Sequence, residues 1–207
     1  MKLLTAEDVK NIHSALEKQF PLMEKGILNA GLIQAAVEKQ NRILYGSNLY
    51  PDIFTKAASL MEALTRWHGF VDGNKRTGLM SAFILLYENG IYLAIPINAV
   101  QFTVKVADTK GTDDVTINNL VNEITEWLHK HSSNNKTEFS KKVWKYNFWP
   151  ITKLIILQGL GFKKRVQKTL SIWFSIEGHP EYAIEAGQVL AYLYNLMRLA
   201  LSEMKAK

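Results

Sequence analysis

The ten residues 68–77, HGFVDGNKRT, combine side chains that could transfer a phosphate-containing group. Glycine and asparagine interrupt any helix at this point, and the apolar residues that follow at positions 79–87 have helical spacing. A glycine-containing loop that opens into a helix binds anions well, because its backbone amides point at the ligand and the helix dipole adds positive potential. The spacing therefore predicts a phosphate-binding loop at the start of a helix.

The charged side chains of this loop suit the same chemistry. Lys75 offers a point charge and Arg76 a bidentate fork for phosphate oxygens, while Asp72 is a hard carboxylate ligand suited to Mg²⁺. His68 carries an imidazole, the group most often used as a general base near neutral pH. We interpret the set as machinery for phosphoryl or nucleotidyl transfer to a hydroxyl.

The elements that must position this loop are helices. Thr5, with Asp8 three residues later, predicts the start of a first helix, and Asp52 predicts the start of a strongly apolar one that runs into the loop. Because the second of these is apolar on most of its faces, we expect it in the middle of the fold. Further helices are predicted from the loop to Asn89-Gly90, over residues 98–107 and over residues 116–130. The predicted fold class is all-α.

Composition places the chain among ordinary globular proteins. Its 207 residues are 47% hydrophobic and 21% charged, and a chain of this length buries about 70% of its unfolded surface. It has no run of 18 uncharged apolar residues and no signal-peptide core, so we expect an unexported, cytoplasmic protein with no membrane partner. It has no cysteine, and we expect His13, His129 and His131 at the surface or at helix caps.

Charge is unevenly distributed along the chain. Residues 1–131 hold 13 basic and 14 acidic side chains, a net charge of −1, whereas residues 132–207 hold 12 basic and 5 acidic ones, a net charge of +7. The sequence Ser-Ser-Asn-Asn-Lys lies between these parts, and such polar stretches are typical of linkers. We predict a catalytic domain over residues 1–131, a linker over residues 132–143 and a basic, mainly helical extension over residues 144–207.

The loop resembles the signature of the Fic/Doc superfamily in the form found in its Doc branch, H-x-F-x-[D/N]-[A/G]-N-K-R-T, in which eight of ten positions are specified. The resemblance extends over roughly residues 1–131 and implies a helical Fic/Doc bundle. It implies that His68 accepts the proton of a target hydroxyl and that Asp72 binds Mg²⁺. It also implies a flap at residues 45–50, which could form a short hairpin that aligns a target segment. The residues implied to bind the phosphates of ATP are Gly73, Asn74, Lys75, Arg76 and Thr77.

Two positions distinguish the branches of this superfamily. Adenylylating Fic enzymes have glycine where this chain has Lys75 and arginine where it has Leu79. The Doc pattern implies an ATP- and Mg²⁺-dependent kinase that transfers the γ-phosphate to a Ser or Thr hydroxyl of a protein such as elongation factor Tu. It implies a growth-inhibiting toxin held in check by an antitoxin. The inhibitory-helix motif of the superfamily does not occur in this sequence, which favours inhibition by a partner.

Two alternatives stay open at this point. The first is a protein adenylyltransferase, which requires that Lys75 be accommodated without inverting the nucleotide. The second belongs to another class: a binding module with a vestigial Fic site, in which the extension binds nucleic acid or another partner. Its basic cluster consists of Lys163, Lys164, Arg165 and Lys168.

Overall fold

The structure is a computed structural model that describes residues 1–20, 23–96, 98–143 and 145–146. The chain divides after Phe139 into two units, and the elements below belong to the first unit apart from the end of the last helix. Its helices are α1 (Ala6–Gln19), α2 (Ala30–Lys39), α3 (Ile53–Arg66), α4 (Asn74–Glu88), α5 (Ala99–Asp108), α6 (Asp114–His131) and α7 (Lys136–Val143). Its strands are β1 (Ile43–Leu44), β2 (Ser47–Asn48), β3 (Tyr92–Leu93) and β4 (Ser132–Ser133). The predicted all-α fold class is confirmed for this part of the chain.

Helix α3 lies at the centre of the fold, as the sequence predicts. Every residue from 56 to 65 is buried, and the helix packs against α2, α4, α5 and α6. The approach to α4 is close at Gly78, where an added Cβ would lie 2.4 Å from Oγ1 of Thr65 and 3.0 Å from the carbonyl oxygen of Met61. Glycine at this position therefore sets how tightly the two central helices pack.

Local capping signals place the ends of several helices. Thr5 and Asp8 form a capping box at the start of α1, and the Asp52 carboxylate accepts hydrogen bonds from two amides at the start of α3. Helix α4 stops before Gly90, which has a φ of +78°. Helices α5 and α6 begin and end within two residues of their predicted bounds.

Residues 132–143, predicted to be a linker, form β4 and α7. Strand β4 pairs antiparallel with β3, in the register Tyr92 with Ser133. The polar residues that suggest a linker instead start a helix: Oδ1 of Asn135 accepts hydrogen bonds from the amides of Thr137 (2.8 Å) and Glu138 (3.2 Å). The domain boundaries stay a prediction, because the extension over residues 144–207 lies outside the described residues apart from 145 and 146.

Within the part of the chain that the structure describes, no helix combines the length and the hydrophobicity needed to span a bilayer.

Candidate active site

His68 is presented at the surface by the end of α3. The helix closes at Trp67, whose amide donates to the Ala63 carbonyl at 2.9 Å, and His68 follows in the left-handed conformation with a φ of +52°. This is the position at which helices usually end in glycine, because a Cβ costs about 1–2 kcal/mol there. The His68 side chain is exposed and makes no hydrogen bond to another described residue. Its imidazole is therefore accessible to a reacting hydroxyl.

A buried cluster of charges anchors the last turns of α3 ahead of His68. Glu62 is fully buried, and its carboxylate accepts a hydrogen bond from Nη1 of Arg66 at 2.7 Å and pairs with Nζ of Lys39 on α2. The other arm of Arg66 donates to the carbonyl oxygens of Thr109 (3.1 Å) and Gly111 (2.6 Å). The end of α3 is thus tied both to α2 and to the segment between α5 and α6.

The loop after His68 is held by Phe70 and Asn74. The Phe70 side chain is 1% exposed. The Asn74 side chain accepts a hydrogen bond from the backbone N–H of Phe70 at 3.0 Å and donates one to the backbone carbonyl of Phe70 at 2.8 Å. On its other edge the loop runs antiparallel to residues 26–29. The backbone of this segment forms hydrogen bonds with the backbone of Gly69 and Val71, at 2.9–3.1 Å. Because Oδ1 and one N–H of the Asn74 side chain are used inside the loop, this residue mainly holds the loop in shape.

Gly73 turns the chain into α4 and leaves the start of that helix open. Its φ is +76°, and an added Cβ would lie 2.5 Å from Sδ of Met23, so no other residue fits without a shift. Gly73 has no side chain with which to cap α4, and the first-turn amides of an α-helix have no acceptor within the helix. The glycine loop thus opens into a helix, as the sequence predicts, and phosphate binding at this helix start stays a prediction.

Charged side chains surround this helix start. Asp72 is 47% exposed in its side chain, accepts from the Gly73 amide at 2.5 Å, and lies 3.9 Å from Nη1 of Arg76. The Arg76 guanidinium also lies 4.9 Å from the ring centroid of Phe20. Lys75 is exposed. The structure thus brings His68, Asp72 and the two cations onto one short loop and the helix turn that follows it.

The remaining predicted phosphate ligand, Thr77, faces the interior. Its side chain is fully buried, and Oγ1 lies 3.0 Å from Nδ1 of His13 on α1. The structure therefore does not place the Thr77 hydroxyl at the surface with the cations. It supports the loop from behind.

His13 is the residue at this site that the sequence interpretation missed. The expectation of a surface or capping histidine is wrong, because the side chain is 2% exposed and its ring stacks on that of Phe70 with centroids 3.8 Å apart. Burial lowers the pKa of His13, while the charges of Glu17 and Asp72 raise it less, so the ring is neutral at pH 7. A signal was available: position 13 shares a helix face with the apolar residues 9, 16 and 20.

The donor set at Asp72 fits a metal ion that is shared with phosphates. Among the described residues, no group of three or more His, Asp or Glu side chains could hold a metal ion. Mg²⁺ commonly binds through one or two carboxylates, with substrate phosphates and water completing its octahedron. A single half-exposed carboxylate beside an anion site meets that requirement.

The predicted short hairpin is confirmed. Strands β1 and β2 pair antiparallel with Leu44 opposite Ser47, and the turn places Tyr45 and Gly46 at φ values of +49° and +79°. Both strands are exposed, and Tyr45 is 99% exposed. The hairpin therefore exposes apolar side chains, and its outer strand edges pair with no other strand among the described residues.

The described part of the chain is thus a helical domain in which a short loop between α3 and α4 carries His68 and Asp72. Residues 3–86 match the model of the Fic/DOC family. Over 71 residues the chain is 42% identical to a protein of Mycolicibacterium smegmatis named "Toxin Doc", a match that covers 34% of this chain and 55% of that protein. The chain thus spans about half the length of the curated relative it matches. The resemblance to the Fic/Doc superfamily is confirmed for this region.

Proposed function

We propose that this protein is a Doc-like transferase that moves the γ-phosphate of ATP to a Ser or Thr hydroxyl of a target protein. The observation that carries the proposal is the uncapped start of α4, which lies on the same loop as the exposed His68 and beside Lys75 and Arg76. An anion site that adjoins a general base is what a phosphoryl transfer to a hydroxyl requires.

The chemistry follows from the positions of these groups. His68 accepts the hydroxyl proton while the oxygen bonds to the γ-phosphorus, the bond to the β–γ bridging oxygen breaks, and ADP leaves. The amides at the start of α4, with Lys75 and Arg76, bind the phosphates and stabilise the charge of the leaving group. Asp72 would hold Mg²⁺, which would neutralise part of the phosphate charge.

Two residues support γ-phosphate transfer over transfer of AMP. Lys75 stands where adenylylating enzymes have glycine, and it adds bulk and charge to the phosphate site. Leu79, which stands where those enzymes have a second arginine, is partly buried against the core. Leu79 therefore offers no guanidinium that could bind the distal phosphates. On this basis Lys75→Gly should weaken γ-phosphate transfer and favour AMP transfer.

The biological setting is proposed from the relative. The name "Toxin Doc" supports a growth-inhibiting toxin that an antitoxin protein silences, and a cytoplasmic location is part of the proposal. A translation factor such as elongation factor Tu is the target that the Doc branch suggests. A nucleic-acid partner for residues 144–207 stays a prediction, since the basic cluster lies outside the described residues.

The proposal is tested with the full chain and its His68→Ala variant, incubated in cell lysate with Mg²⁺ and ATP labelled at either the γ- or the α-phosphate. Label on a protein band from γ-labelled ATP alone, absent with the variant, supports the kinase. Label from α-labelled ATP makes the protein an adenylyltransferase, and no label from either nucleotide overturns the transferase. Charge reversal over residues 163–168, which leaves the loop intact, should not change the labelling.

A further inference from the structure

The proposed chemistry gives no role to the buried imidazole of His13, which lies directly behind the loop. We propose that His13 is a positioning residue for the active site. From α1 it holds Phe70 and Thr77, and through them it fixes the loop that carries His68 and Asp72. Its effect on transfer rests on the proposed function, whereas its effect on the loop does not.

The first contact is the stack on Phe70. The two rings lie 3.8 Å apart at 16° to each other, and both side chains are almost fully buried. Phe70 stands midway between His68 and Asp72 in the chain. Its backbone N–H and C=O both form hydrogen bonds with the Asn74 side chain. Moving the Phe70 ring therefore moves the proposed base and the proposed metal ligand together.

The second contact reaches the first turn of α4. Nδ1 of His13 lies 3.0 Å from Oγ1 of Thr77, and a Cβ at Gly73 would lie 3.4 Å from Cε1 of the same ring. The imidazole thus packs behind the amides that form the anion site. The His13 side chain therefore lies against three features of the loop: the Phe70 ring, the Gly73 turn and the Thr77 hydroxyl.

Glu17 completes the arrangement on the opposite edge of the ring. Its Oε1 lies 3.2 Å from Nε2 of His13 and accepts a hydrogen bond from the Gly26 amide at 2.9 Å. Gly26 in turn accepts from the amide of Val71, at 3.1 Å. The network therefore reaches the loop from the segment that runs beside it as well as from α4.

The proton positions follow from the partners. Nε2 faces the Glu17 carboxylate at 3.2 Å without hydrogen-bond geometry, and the negative charge of that carboxylate favours the ring proton on Nε2. Nδ1 is then an acceptor, and the Thr77 hydroxyl donates to it. The hydrogen bond with Thr77 orients the ring, which a purely apolar side chain of similar size cannot do.

The test compares four variants of the full chain. His13→Leu keeps volume and removes both polar contacts, and Thr77→Val removes the donor to Nδ1. His13→Asn places an amide oxygen at the position of Nδ1 and keeps the acceptor for Thr77. Val9→Ala is the matched control, because Val9 is a fully buried residue one turn before His13 on the same helix and has no polar group to lose. Thermal unfolding of each variant sets an assay temperature at which all are folded.

We expect His13→Leu and Thr77→Val each to lower kcat for γ-phosphate transfer about 10- to 100-fold, with a smaller change in KM for ATP. The double variant should be no slower than the worse single one, because both lose the same hydrogen bond. His13→Asn should recover part of the rate, and Val9→Ala should keep the wild-type kcat. Equal kcat in His13→Leu and Val9→Ala overturns the positioning role.

A second readout separates this inference from the proposed function. If the wild-type protein transfers no label, the proposed function fails and kcat is uninformative. The backbone amide NMR signals of residues 68–77 then decide. Shifts spread over this loop in His13→Leu and absent in Val9→Ala support the positioning role, and an undisturbed loop in His13→Leu refutes it.

Discussion

Replacing His68 by glycine should both raise the free energy of unfolding of the protein and abolish its activity. His68 has a φ of +52° at the end of α3, and an L residue in this conformation is disfavoured by about 1–2 kcal/mol relative to glycine. Glycine loses about 0.5–1 kcal/mol more conformational entropy on folding, which offsets part of that gain. The His68 side chain is exposed and has no hydrogen-bond partner among the described residues, so removing it sacrifices little packing.

The informative comparison is between His68→Gly and His68→Ala, because both remove the imidazole and only one retains a Cβ. We expect the glycine variant to be more stable by about 1 kcal/mol, which corresponds to a Tm about 2–4 °C higher in a chain of this size. Thermal and urea unfolding followed by circular dichroism measure this difference. In the labelling assay both variants should be inactive.

A matched pair in a regular helix controls for the general effect of glycine. Asn119 is exposed within α6, where backbone angles are right-handed. There the order should reverse, with Asn119→Gly less stable than Asn119→Ala by about 1 kcal/mol. If His68→Gly is no more stable than His68→Ala while the Asn119 pair behaves as expected, the left-handed conformation of His68 is refuted as a source of strain.

Three further perturbations test other parts of the site. Because burial lowers the pKa of His13 from 6.5 despite the opposing charges of Glu17 and Asp72, the unfolded chain binds the proton more tightly. The free energy of unfolding, measured in urea, should therefore fall as pH drops below about 6.5, and His13→Leu should remove this part of the pH dependence. Gly73→Ala should cost about 1–3 kcal/mol and abolish labelling, because its Cβ would collide with Met23 at an unfavourable φ; unchanged unfolding in urea would contradict this. Asp72→Asn should lower the labelling rate and raise the Mg²⁺ concentration needed for half-maximal rate, whereas an identical Mg²⁺ titration would remove Asp72 from the metal site.

The parts of the fold that could be predicted are those specified by neighbouring residues. The capping box of Thr5 and the Asp52 cap depend on residues three positions apart, and the stop at Gly90 depends on one backbone conformation. The loop over residues 68–77 that opens into α4 belongs to the same class, because its ten residues are contiguous. Each of these features carries its signal within a single turn of chain.

The parts that could not be predicted depend on contacts between distant residues. His13 and Thr77 are 64 positions apart, so only the packing of α1 against α4 shows that they meet. The inward direction of the Thr77 hydroxyl follows from the same packing. The pairing of Ser133 with Tyr92 joins segments 41 positions apart, and the serines there carry no strand signal of their own. Local patterns cannot reveal such partners.

The buried cluster of Lys39, Glu62 and Arg66 restricts how this domain can evolve. Loss of the Glu62 charge leaves two cations without their counter-ion, and loss of either cation leaves a carboxylate undercompensated; such changes cost about 3–5 kcal/mol in buried pairs. Simultaneous replacement of a whole buried cluster by apolar residues of similar volume is often neutral. We therefore expect the three residues to be inherited together. A lineage that replaces them one at a time must pass through variants that are less stable than either the starting or the final protein.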